Sequence, residues 1–123
     1  MATSSSFQTV FNTGYALVVE WAESNVNVAN NTSDITVTAI LKTIKGTYHI
    51  DSTATKNVSL TIDGTTYSST CTVGIAALSS KTLFTKTVTG IAHNATTGEK
   101  TVPISCTLGI KVNINGSYVS SVS

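Results

Sequence analysis

The stretch Val58-Ser59-Leu60-Thr61-Ile62-Asp63-Gly64-Thr65-Thr66-Tyr67-Ser68-Ser69 settles the fold class. Apolar and polar residues alternate on both sides of Asp63-Gly64, the strongest short hairpin signal, because both loop positions of a type I′ turn need positive φ. A two-residue loop sets Ile62 opposite Thr65, Leu60 opposite Tyr67 and Val58 opposite Ser69, so register and burial agree.

The same period of two continues outward in both directions. Val102, Ile104, Cys106, Leu108, Ile110, Val112 and Ile114 share one parity, which reads as one long half-buried strand or two joined by Gly109. Tyr15, Leu17, Val19 and Trp21 form a second such set, and Ile35, Val37, Ala39 and Leu41 a third. Asn115-Gly116 is another hairpin signal, closing on Tyr118 and Val119. Residues 7–11, 47–51 and 81–91 are further strands, and 71–75 continues the Tyr67 strand. Turn clusters such as Asn30-Asn31-Thr32-Ser33-Asp34 and Lys45-Gly46 separate them at the spacing of a meander or Greek key. Pro103 marks an edge or a bulge. About nine strands result. The expected fold is all-β, a single domain over residues 1–123 built as an antiparallel two-sheet β-sandwich. Ig-like and jelly-roll strand orders both suit the count. The antibody disulfide signature is missing, since Trp21 precedes both Cys71 and Cys106.

Composition agrees with that reading. Ser and Thr number 16 and 23 and Val and Ile 13 and 10, which favours a pleated surface over long helices. Seven Lys stand against six Asp and Glu, with no Arg, so the charge excess and bidentate fork of nucleic-acid binding are absent. The apolar run from Tyr15 to Val19 is far short of a membrane span. Met-Ala-Thr-Ser-Ser-Ser-Phe carries no basic or apolar export region, so synthesis in a cytoplasm is expected. In that compartment Cys71 and Cys106 are expected as buried free thiols.

Chemistry finds little purchase. His49, Asp51 and His93 could be drawn as a nucleophilic triad with a hydroxyl, but no Gly-x-Ser-x-Gly elbow holds a nucleophile, and we expect no enzyme. His49 and Asp51, two apart, are expected to share a face and hydrogen-bond. Neither a zinc spacing, an EF-hand-type loop nor a phosphate or dinucleotide loop is present, so no metal or cofactor is expected. Asp34, Asp51 and Asp63 read as turn aspartates serving their own backbone. Among the rings, Trp21 and Tyr67 belong to core faces, whereas Tyr48 and Tyr118 lie beside turns and are candidate glycan or partner contacts.

Three stretches carry a resemblance. They are Met1 to Phe7 with Gly14-Tyr15-Ala16-Leu17 and Trp21, then Val28-Ala29-Asn30-Asn31-Thr32-Ser33, and then Ile91-Ala92-His93-Asn94-Ala95-Thr96-Thr97-Gly98-Glu99-Lys100-Thr101-Val102. Together with Ser52 to Lys56, the Asp63-Gly64 hairpin and Gly116-Ser117-Tyr118-Val119, they resemble the N-terminal domain of siphophage minor structural (tail) proteins from phages of Gram-positive bacteria. Where family members carry His-Asn-Ala-Asp-Gly-Thr-Lys, this chain is one residue longer and lacks the Asp, so any role of that Asp does not carry over. His93, Asn94, Gly98 and Lys100, like Asp63 and Gly64, read as a structural turn motif.

The resemblance implies a non-enzymatic virion module, in a tail, tail tip or fibre, or decoration protein, acting in assembly or host attachment. Its partners would be other virion proteins or copies of itself, with host surface polysaccharide as the alternative ligand, and its location the virion. Exposed strand edges with few charges to guard them would serve that association.

Overall fold

The computed structural model describes residues 4–93, 102–114 and 117–123, and over these the protein is all-β. Nine strands follow in order: β1 (Ser4–Phe11), β2 (Tyr15–Asn27), β3 (Thr32–Thr43), β4 (Thr55–Ile62), β5 (Thr65–Thr72), β6 (Ser80–Ala92), β7 (Ile104–Gly109), β8 (Val112–Ile114) and β9 (Ser117–Val119). Every pairing is antiparallel, in sheets ordered β1-β2-β3-β6, β5-β4-β7 and β8-β9. The first two form a β-sandwich. The chain makes a meander through β1, β2 and β3, lays the β4–β5 hairpin in the second sheet, and returns β6 beside β3. Among the described residues no helix is long and apolar enough to cross a membrane.

The hairpin has the register that the alternation dictates, with Ile62 opposite Thr65, Leu60 opposite Tyr67 and Val58 opposite Ser69. Asp63 and Gly64 carry φ of 51° and 85°, the two positive values of a type I′ turn. Leu17, Val19, Val37, Ala39 and Leu41 from one sheet face Val58, Leu60, Ile62 and Leu108 from the other, all fully or almost fully buried. Trp21 and Tyr67 pack against this core, as their parity requires.

The structure departs from the sequence expectation at 47–51 and at 71–75, where β5 ends at Thr72 and only Ile75 pairs beyond it, and it decides the open reading at Gly109. The segment 47–51 is not a strand, because Tyr48 closes a turn onto Lys45 and only Ile50 pairs, in an isolated bridge to Ile75. The C-terminal alternation breaks after Gly109, where Lys111 takes φ of 45°, so β7 and β8 belong to different sheets. Pro103 precedes β7, and its carbonyl accepts a 2.9 Å hydrogen bond from the Asp63 N–H. The turn expected at Asn115-Gly116 lies outside the described residues, though β8 and β9 pair on either side of it.

The strand edges are treated differently from one another. β5 and β6 adjoin without sharing a ladder, and two lysines of β6 bridge them. Lys81 Nζ donates to Thr72 Oγ1 at 2.6 Å and Lys86 Nζ stands 4.7 Å from the Tyr67 ring centre. The C-terminal segment covers the free side of β7, with Val122 and Leu108 exchanging both hydrogen bonds. Among the described residues β1 shares a ladder with β2 alone and no strand or segment pairs along its other flank, and Ser4 to Gln8 are all exposed.

Candidate functional site

At one end of the sandwich, the turns after β1 and β3 meet in an aromatic corner. Phe11 stacks on Tyr15 with ring centres 5.5 Å apart, and Tyr15 meets Tyr48 at 5.4 Å. The Tyr15 hydroxyl donates to the His49 carbonyl at 2.8 Å, and burial raises the Tyr15 pKa despite that bond. Tyr48 lies flat on Gly14: a Cβ there would fall 1.7 Å from Tyr48 Cδ2, so residue 14 must be glycine for the ring to seat. Tyr48 is therefore a half-buried packing lid, held further by a 3.1 Å contact from its hydroxyl to Thr13 Oγ1. His49 Nε2 and Asp51 Oδ2 are 3.0 Å apart and exposed, the shared face expected from their spacing.

Tyr118 behaves differently. It stands on β9, 61% exposed. Of the turn-motif residues, Asp63 and Gly64 form the hairpin loop, whereas Asn94, Gly98 and Lys100 lie outside the described residues.

His93 is buried, in a cluster that the sequence reading missed. The Ser33 hydroxyl lies 2.7 Å from Glu23 Oε2 and 2.6 Å from His93 Nε2, while His93 Nε2 and Glu23 Oε2 are 3.5 Å apart. Glu23 and His93 side chains are only 6% and 7% exposed, and Ser33 only 1%. The carboxylate thus lies on the same side of the imidazole as the hydroxyl. A nucleophilic triad instead holds its acid on the far ring nitrogen and leaves the serine open to substrate. The cluster ties β2, β3 and the end of β6 together, joined by the Asn31 side-chain amide donating to the His93 carbonyl at 3.1 Å. Its sequence signal was present: Glu23 and Ser33 occupy the inward parities of Val19–Trp21 and Ile35–Val37.

Asp34 ties two irregular sites together, one through a side chain and one through the backbone. Its Oδ2 accepts from Asn25 Nδ2 at 2.8 Å and its Oδ1 from the Gly90 N–H at 3.0 Å, beside the register shifts on both flanks of β3. The Asn25 bond first, and the Gly90 bond second, hold the Asp34 carboxyl below the usual range. Asp51 and Asp63 are occupied elsewhere, and no group of three metal-ligating side chains occurs among the described residues.

Cys71 and Cys106 are both free thiols. Cys106 is buried and its pKa is pushed up to about 11, by desolvation first and by Cys71 second. Cys71 is only half-buried, because β5 borders its sheet. Burial still raises its pKa, opposed by Lys81.

Outside these clusters the surface is broad and hydroxylated. The solvent face of β5-β4-β7 is a grid of cross-strand rows: Thr66, Thr61 and Ser105; Ser68, Ser59 and Thr107; Thr70, Asn57 and Gly109. No charge interrupts these rows. The opposite face of the molecule has a shallow groove lined by Ser4, Ser6, Glu20, Ala22, Thr36 and Thr38. Comparison with family models, with curated proteins and with solved structures finds no match to this chain.

Proposed function

We propose that this chain is a non-enzymatic structural module of a bacteriophage virion, in the tail, tail tip or fibre, or as a decoration protein, acting in assembly or host attachment. The observation that carries the reading is the uncharged hydroxyl grid on β5-β4-β7. Covering it with a neighbouring subunit buries no charge, and each hydroxyl can trade its water for a protein partner. The recessed polar groups are already engaged internally, at Glu23, Ser33 and His93. The phage assignment itself rests on the sequence likeness of the N-terminal segment, the Val28–Ser33 stretch and the His93 motif. Immunogold labelling of intact particles with an antibody to this chain is the test. Gold at a fixed particle locus is expected, and unlabelled particles alongside labelled free protein would overturn the reading.

A second reading, recognition of a host surface glycan, is favoured by Tyr118, whose exposed ring could stack on a sugar face. A glycan array probed with multivalent protein tests it. Binding lost in Tyr118→Ala supports it, and silence across the array removes it.

A further inference from the structure

We infer that the open flank of β1 is a self-association surface, at which a second copy of this chain adds its own β1 antiparallel across a two-fold axis. The inference deepens the assembly reading and rests on it for its purpose. Its basis is the contrast among the strand edges. Lysines bridge β5 and β6, and the C-terminal segment covers β7. β1 has no lysine bridge, and the C-terminal segment reaches it through a single 2.8 Å hydrogen bond from Thr9 Oγ1 to the Ser123 carbonyl; its eight residues, Ser-Ser-Ser-Phe-Gln-Thr-Val-Phe, contain no charge, proline or glycine, and among the described residues it shares a ladder with β2 alone. An edge of that kind presents a row of N–H and C=O groups, hydrated when free, that another extended strand can pair.

The side chains point to a second copy as that strand. Phe7 stands opposite Val19, on the parity that faces the core, yet it is 43% exposed. Val10 on the other face is 48% exposed. A two-fold axis normal to the sheet pairs like faces, so Phe7 meets its counterpart or Thr9, and Val10 meets Ser4 or Ser6. No like charges confront each other, since the strand has none. The sheet then runs continuously through eight strands, and each Phe7 is covered by the other copy. One strand pair is a small interface, so the contact is weak in dilute solution and adds up where many copies are held together.

Sedimentation equilibrium of the full chain tests this, from micromolar to about 1 mM. The expected mass moves from 12.8 kDa toward twice that value. Gln8→Lys on the exposed face of β1 should shift the midpoint at least about tenfold to higher concentration, while Thr89→Lys, exposed on β6 and outside the hydroxyl grid, should leave it unchanged. A strict monomer over the whole range overturns the inference, as does association that survives Gln8→Lys or is lost in Thr89→Lys. Should Gln8→Lys fail to fold, hydrogen exchange on the unmodified chain decides. The β1 amides must slow as concentration rises, and unchanged exchange overturns the inference. A chain found on particles but monomeric in solution sinks this inference alone, whereas a β1 dimer absent from particles sinks only the virion reading.

Discussion

Replacing Gly64 by valine isolates backbone strain from packing. The residue sits at φ of 85°, and a Cβ built there meets nothing within 4 Å, so the side chain itself clashes with no neighbour. What remains is the cost of a β-branched residue in the left-handed region, about 1–2 kcal/mol. With about 2.1 cal/mol/K per residue over 123 residues, the unfolding entropy is about 0.26 kcal/mol/K, and the melting temperature should fall by about 4–8 °C. Gly64→Asn should lose clearly less, because asparagine tolerates this region. Gly46→Ala is the neutral control, since its added methyl makes only an ordinary contact with Leu78. Differential scanning calorimetry on the three variants gives the comparison. A Gly64→Val midpoint equal to that of the unmodified chain would refute the claim that this turn fixes the Leu60/Tyr67 register.

Ser33→Ala leaves Glu23 and His93 buried without their shared hydroxyl, and chemical denaturation should show a loss of about 1–3 kcal/mol. The depressed Asp34 pKa contributes stability that is present above about pH 4 and lost as pH falls through the lower folded value. Melting curves between pH 2 and 5 should therefore be flatter for Asp34→Asn than for the unmodified chain. The raised Cys106 pKa works in the opposite direction: stability is complete below the ordinary thiol pKa near 9 and declines as pH rises toward about 11. Cys106→Ala should lack that component of the alkaline decline in melting temperature. Intact-mass analysis after alkylating the unfolded, unreduced protein should show two labels, and none would establish a bridge that the free thiols exclude.

Local features were legible in the sequence, and features set by sheet order were not. Asp63-Gly64 fixed its hairpin because turn chemistry and alternation act within a dozen residues. The strand expected over 47–51 failed because Tyr48 seats on Gly14, a contact 34 residues distant that alternation cannot register. The break after Gly109 was one of two open readings, and the backbone at Lys111 decided it. Glu23, Ser33 and His93 meet only because β2, β3 and β6 lie side by side. Inward parity marked the first two as unusual, yet it named no partner. The edges show a similar gap: seven lysines looked too few to guard the sandwich, but two of them stand where β5 and β6 adjoin.

Quantitative mass spectrometry of density-banded phage particles tests the central claim most directly. The particles must come from the genome that encodes this chain. The account predicts the chain in the particle band at a fixed multiple of copies per particle, retained through repeated banding. Its absence from that band, with all of the chain recovered as free protein in the lysate, would contradict the account.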